Sequence, residues 1–352
     1  MKKIIYIVCY FILLNFSYAD IYSGVDLSGG KFNNMDLSWC NFSNSILKDT
    51  DFSRSRLVYT VFTSSDLTNA NFIGANFLNA TLTDSKITYC SFGYSSNFSF
   101  AHLISTASYK ERNLEGIKLN FYIDLSYWDF SEQNLRNADF QSSFLTQTSF
   151  KNAQLQNVNF SGSVINNMDL TNADLRGTIF GNNTGIPTYK NTIMSDGKIQ
   201  NLSLLLVEDK LTIRKYISTE DRLENISVKI AEDSLLINGS IIIEDGAFLE
   251  IEDNVTITLT DALEFIISDN IKDVSDVLKI GENTTIVIAG CTDEEARGVF
   301  TNLFKTKDGE TVKLATPESF VIRGDTAVPE PAEWAMIFGV LALGLAVYRR
   351  RK

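Results

Sequence analysis

The sequence predicts a mainly β protein: a tube of stacked five-residue units, followed by a second β-rich segment. Three observations carry this. Leu, Phe or Ile stands at every fifth position from Leu27 to Phe92, and again from Leu125 to Phe180. The residues between them are mostly Asn, Asp, Ser and Thr, which form turns readily. Residues 199–290 abandon the period of five for simple alternation.

A period of five fits neither a helix, which repeats at three and four, nor a lone strand, which repeats at two. The first run is Leu27, Phe32, Leu37, Phe42, Leu47, Phe52, Leu57, Phe62, Leu67, Phe72, Phe77, Leu82, Ile87 and Phe92. The second is Leu125, Phe130, Leu135, Phe140, Leu145, Phe150, Leu155, Phe160, Ile165, Leu170, Leu175 and Phe180. Two residues before a centre the side chain is usually small, as at Ser65, Ala70, Ala75, Ser85, Ala138 and Ala153. Each unit thus offers one large and one small inward group. A single unit cannot bury its large group, but stacked units can, as in a solenoid.

The segments "NADF" (137–140) and "NADLRG" (172–177) resemble the pentapeptide-repeat family, whose pattern is A(D/N)LXX. The resemblance covers about residues 25–180. It implies a right-handed quadrilateral β-helix with one repeat per face and four per coil. The alternation of Phe and Leu supports four faces independently. At twenty residues per coil, Phe32, Phe52, Phe72 and Phe92 fall in one column, with Phe42 and Phe62 opposite. Phe140, Phe160 and Phe180 form a later column, facing Phe130 and Phe150. Between the runs, Phe98, Leu103, Tyr109, Leu114 and Leu119 nearly keep the beat, so single-residue bulges are expected there, with a loop opening at Arg112. The tube would be about 35–40 Å long at the usual strand spacing. Cys40 and Cys90 occupy small inward sites two and a half coils apart, too far for a disulfide, and are expected as buried thiols.

After Phe180 the beat stops. Leu249/Ile251, Val255/Ile257/Leu259 and Leu263/Phe265/Ile267 alternate, separated by turns such as "NGS" and "EDGA". These read as short half-buried strands, in a looser β-solenoid or an antiparallel sandwich. Thr292 and Glu295 form a capping box. Ala296, Val299, Phe300, Leu303 and Phe304 then recur at helical spacing, which predicts one short helix docked on the sheet.

Both ends read as addresses. Lys2 and Lys3, an apolar run and the small residues before Ala19 read as a signal peptide cut between Ala19 and Asp20. At the other end stand Pro329, Glu330 and Pro331, then an apolar helix from Trp334 to Tyr348, then Arg349, Arg350, Arg351 and Lys352. Fifteen helical residues span about 22 Å, short of a ~30 Å hydrocarbon core, with Trp334 at one interface. This tail resembles a PEP-CTERM sorting signal. The resemblance implies recognition by an exosortase of Gram-negative bacteria, often linked to exopolysaccharide, and cleavage near Pro329–Pro331. The domains expected are therefore 1–19 signal peptide, 20–183 β-helix, 184–326 acidic β-rich domain and 327–352 sorting tail.

Charge narrows the function. Residues 20–180 carry 11 basic and 15 acidic side chains, a net of −4; residues 181–326 carry 14 and 26, a net of −12. An acidic body repels nucleic acid. His102 is the only histidine, and no CxxC, HExxH or phosphate-loop motif occurs. No cofactor, metal or catalytic residue is expected, although Glu244/Asp245 and Glu250/Glu252/Asp253 are acidic enough to consider for Ca²⁺. The expectation is a non-catalytic exported scaffold or interaction protein at the cell surface or in the extracellular matrix. Its partners would be signal peptidase, an exosortase, the membrane through the tail helix, and an exopolysaccharide or envelope protein. Two alternatives are a polysaccharide-processing β-helix enzyme and an acidic DNA mimic that binds gyrase, as some pentapeptide proteins do.

Overall fold

The computed structural model describes residues 22–216, 226–312 and 321–326. The signal-peptide and sorting-tail residues lie outside that range. Of the described residues, 22–168 and 178–187 form one compact unit, and 169–177 with those from 188 onward form another.

In the first unit the chain returns to the same wall every twenty residues. Parallel bridges join Asp26 to Ile46, Ile46 to Asp66 and Asp66 to Lys86, and equivalent ladders run on the other walls. Around each bridge the backbone is satisfied from both neighbouring coils. Leu57 N–H donates to the Asn76 carbonyl at 2.9 Å, and Arg56 N–H to the Met35 carbonyl at 2.9 Å. The centres point inward. Phe42, Phe52, Phe62, Phe72, Phe130, Phe140, Phe150 and Phe160 are fully buried and Phe32 nearly so. Leu27 and Phe180, near the ends of the two runs, are half-buried.

Rings stack within a column and meet edge-on between columns. Phe52 and Phe72 lie 5.1 Å apart at 4°, Phe42 and Phe62 5.4 Å at 6°. Across the tube, Phe52 meets Phe62 at 5.4 Å and 78°. The second run repeats this with Phe130–Phe150 and Phe140–Phe160. Offset stacks and T-shaped contacts are the two favoured ring geometries. The small inward sites take Ala, or a hydroxyl that finds a carbonyl. Ser65 Oγ donates to the Phe62 carbonyl at 2.6 Å, and Thr60 Oγ1 to the Leu37 carbonyl at 2.9 Å. With these bonds made, the Thr60 and Ser65 hydroxyls are satisfied despite their burial.

Two expectations need correction. The interruption is not single-residue bulges alone: one extra residue does sit between Leu119 and Leu125, where Lys118 pairs with Asp139 twenty-one residues on and both Phe121 and Tyr122 have positive φ. Residues 100–110 form two short helices, α1 (Phe100–Ser105) and α2 (Ala107–Lys110). Ser99 and Thr106 cap them, each followed by residues free of Gly and Pro. They lengthen one coil, so that Ser91 pairs with Lys118, twenty-seven residues on; the step is twenty again by Asp124–Phe144. Leu103 keeps its inward place from within a helix. Cys40, expected to be buried, is only half-buried; Cys90 is buried, and neither forms a disulfide.

The second unit winds with three walls per coil. Its strands are β1 (Thr192–Ile193), β2 (Ile199–Gln200), β3 (Ser203–Leu204), β4 (Lys210–Ile213), β5 (Val228–Ile230), β6 (Ser234–Leu236), β7 (Ser240–Ile243) and β8 (Leu249–Ile251). β9 (Thr256–Leu259), β10 (Glu264–Ile267), β11 (Leu278–Ile280), β12 (Thr285–Ala289), β13 (Phe304–Thr306) and β14 (Val321–Asp325) follow. Three sheets are ordered β4-β7-β10-β13, β5-β8-β11 and β3-β6-β9-β12-β14. Every pairing in them is parallel; only β1 and β2 pair antiparallel as strands. From β3 to β13, strands taken in order visit the sheets in rotation, which makes a solenoid and excludes the sandwich. Alternate residues such as Ile241, Ile243, Phe265 and Ile267 fill the interior. Between β12 and β13 runs α3 (Asp293–Asn302). Thr292 N–H donates to Glu295 Oε2 at 2.9 Å, closing its capping box, and Ala296 and Phe300 are buried. Phe304, expected on this helix, instead opens β13, where its ring stacks on Phe265 at 4.6 Å.

Candidate functional surface

The groups singled out for chemistry turn out to be structural. His102 caps α1: its Nδ1 accepts the Ser99 N–H at 3.1 Å and lies 2.8 Å from Ser99 Oγ. Burial beside Phe77 and Phe98 pushes its pKa down, so the ring is neutral at pH 7. The acidic cluster considered for Ca²⁺ is occupied by lysines from neighbouring coils. Lys279 Nζ lies 2.6 Å from Glu250 Oε1, and Lys229 and Lys198 reach Glu250 and Glu252 at 3.4–3.7 Å. The hydrogen bond from Lys279 holds the Glu250 carboxyl below its ordinary value. Among the described residues no group of three His, Cys, Asp or Glu side chains is placed to hold a metal.

The second unit holds a buried ion pair that has no signature in the local sequence. Arg176 is 2% exposed and Asp174 is fully buried. Arg176 Nε and Nη2 donate to the two Asp174 oxygens at 2.9 and 2.6 Å. Nη1 donates to the Ile226 carbonyl at 3.0 Å, and Nη2 also reaches the Arg214 carbonyl. The guanidinium lies 5.5 Å from the Tyr216 ring centre. A cleft of about 290 Å³ opens beside it, lined by Arg214, Lys215, Tyr216 and Phe248. With these bonds made, Arg176 serves as a clamp joining 174, 214 and 226.

The outer skin of the first unit carries a second feature that the inward pattern does not announce. Each corner of the tube holds a residue with positive φ, and asparagine fills half of the non-glycine positions of this kind among the described residues. Bulky side chains are disfavoured there. Even so, Trp39 (φ 68°), Tyr59 (58°), Tyr94 (56°), Tyr122 (67°) and Tyr127 (67°) stand at such corners. All are exposed, from 42% at Tyr59 to 73% at Tyr127. Trp39 and Tyr59 stack at 4.0 Å, one coil apart; Tyr94 stacks on Phe121 at 5.1 Å.

The register puts them on one wall. Bridges Asp36–Arg56, Arg56–Asn76 and Asn76–Ser96 define it. Ser91 pairs with Lys118, so the wall that follows 91 at residue 96 is continued by the wall that follows 118 at residue 124, and Asp124 bridges to Phe144. Trp39, Tyr59 and Tyr127 therefore line one edge. Tyr94 and Tyr122, at the corners entering the wall, line the other. Leu78 and Phe144 are exposed between them. For Trp39, Tyr59, Tyr94 and Tyr127 the signal was present in the sequence: an aromatic residue two places after an inward centre, where Asn or Gly is usual.

The other residues expected from the sequence to matter fall into two groups. The inward columns lie in the interior described above, while Ala19, Asp20, Pro329, Glu330, Pro331, Trp334, Arg349, Arg350 and Arg351 lie outside the described residues. Compared with known proteins, the chain matches the model for pentapeptide repeats in eight copies, over residues 23–58, 60–93, 123–152 and 153–182. Among solved structures it is similar to HetL, a pentapeptide repeat protein involved in heterocyst differentiation regulation from the cyanobacterium Nostoc sp. strain PCC 7120. That match has 17% identity and a TM-score of 0.29, covering 55% of this chain and 98% of that one. It is also similar to QnrB1, a plasmid-mediated fluoroquinolone resistance protein. There the identity is 19% and the TM-score 0.30, covering 46% of this chain and 79% of that one. At these TM-scores neither likeness carries an argument about function. No curated protein matches the chain.

Proposed function

We propose that this pentapeptide-repeat protein is an exported, non-catalytic scaffold that presents the walls of its tube to a partner at the cell surface or in the surrounding matrix. One observation carries the reading. The repeats spend their large apolar groups on internal columns, as at Phe52 and Phe72, and their polar side chains on fixed corners. What remains outside is a surface that repeats at a constant rise, suited to holding a partner along its length. Export rests on the two ends of the sequence: the signal peptide cut after Ala19, and the Pro329-Glu330-Pro331 motif with its apolar span and basic end. Membrane anchoring through the tail would precede cleavage by an exosortase.

Intact-mass analysis of the protein from its own host, combined with cell fractionation, tests this. The expected mature form starts at Asp20, ends near Val328 and lies outside the cytosol. A full-length cytosolic protein would overturn export and return the DNA-mimic reading. Depolymerisation of a glycan by the purified protein would overturn the non-catalytic role in favour of the enzyme reading.

A further inference from the structure

We propose that the aromatic-edged wall of the first unit binds a linear, neutral polysaccharide laid along the tube. The proposal rests on the scaffold reading above and names its partner. Three features of the wall argue for it.

The first is backbone cost. Trp39, Tyr59, Tyr94, Tyr122 and Tyr127 hold left-handed corners that Asn79 and Gly74 fill without strain at equivalent positions. Bulky residues in that conformation are outliers, and such strain collects at working sites. Burial in the core does not account for them: they stand exposed, and the stacks of Trp39 on Tyr59 and Tyr94 on Phe121 lie at the surface.

The second is chemistry. A pyranose ring has an apolar C–H face and a rim of hydroxyls. Aromatic rings that are flat, stiff and partly polar match the face. Between the aromatic edges lie Ser38, Asn76, Ser96, Asn97 and Ser126, which can meet the rim. Charge on the wall cancels: Arg56 is paired with Asp36 at 3.2 Å, and Arg54, exposed at an entering corner, is offset by Asp124, so the strip has no net charge. Neutrality on the wall is complementary to a neutral chain and poorly matched to DNA or a uronate polymer.

The third is repetition. From the coil of Trp39 to the coil of Phe144 is five steps, about 24 Å at the usual strand spacing. A linear polymer with a regular repeat can follow such a strip for several sugar rings. A folded protein partner would want one contiguous apolar centre instead. Here the apolar groups are spread along the edges, with polar residues between.

The test uses the full chain in mild detergent, run by affinity electrophoresis through gels holding hydroxyethylcellulose, galactomannan or dextran. Alginate and duplex DNA serve as anionic comparators. At least one neutral polymer should retard the protein. The double variant Trp39→Asn, Tyr59→Asn should weaken that binding about ten-fold, the scale of one lost aromatic contact pair. Because Asn suits the left-handed corner, its thermal midpoint should hold or rise, whereas a purely structural role for the stack would lower it. Tyr89→Asn, at a corner of another wall, should bind as the parent does. The proposal fails if no neutral polymer retards the protein, if the double variant is retarded equally, or if only alginate or DNA retards it. It also fails if sedimentation shows that the aromatics mediate self-association instead. An exported, trimmed protein that ignores all the polymers would lose the glycan and keep the scaffold role. A cytosolic protein that binds one would keep the wall and lose export.

Discussion

Phe62 is fully buried, stacked on Phe42 in its own column and edge-on to Phe52 and Phe72 across the tube. Neighbouring coils fix its walls, so a cavity there cannot collapse far. Phe62→Ala should cost about 3–5 kcal/mol, read from equilibrium unfolding in urea. Cys90 makes a chemical counterpart. Burial pushes its thiol pKa far up, and its Sγ donates to the Leu67 carbonyl at 2.9 Å. The nucleophile is the thiolate, so iodoacetamide should leave Cys90 untouched in the folded protein and label it once urea is added. At this scale the sequence is legible where the signal is local. Phe52 and Phe72 can be placed from spacing alone. Trp39 and Tyr59 escape the same reading, because attention to inward positions passes over the corner two places further on.

The short helices and strands are legible in proportion to how local their causes are. Thr292 and Glu295 announce α3 within four residues, and Thr292→Ala should cost about 1 kcal/mol of stability by removing one side of the capping box. By contrast, α1 and α2 hide behind a beat that Leu103 and Leu114 nearly sustain. The three-walled winding cannot be read from Ile241 and Ile243, because alternation is the same in a solenoid and a sandwich; only the parallel register of β7 with β4 and β10 separates them. Arg176 is invisible for a different reason: two of its partners, the carbonyls of Arg214 and Ile226, are 38 and 50 residues away. Arg176→Met would leave the Asp174 carboxylate buried without its cation. It should cost about 3–5 kcal/mol, seen as a lower urea midpoint.

Across the molecule, stability depends on carboxylates that bridge coils. Lys279 and Lys229 hold the Glu250 pKa down; at Asp66 burial pushes it up, but hydrogen bonds from Thr68 and Lys48 outweigh that. A depressed folded pKa gives stabilisation that is present above the unfolded value, near 4, and is lost as pH falls through the folded one. The urea midpoint should therefore drop below about pH 4, and the gap between the parent and Glu250→Gln should close over that same range. What holds the first unit together is the ladder that ties each coil to the next, because no coil has a core of its own. Amide hydrogen exchange measures that ladder most directly. The account predicts one continuous block of slow exchange at the bridge amides from Ile46 to Phe92 and from Asn134 to Val164, with faster exchange at the exposed ends of α1 and α2. Rapid exchange at Arg56, Asp66 or Asn76, in the middle of that block, would contradict it.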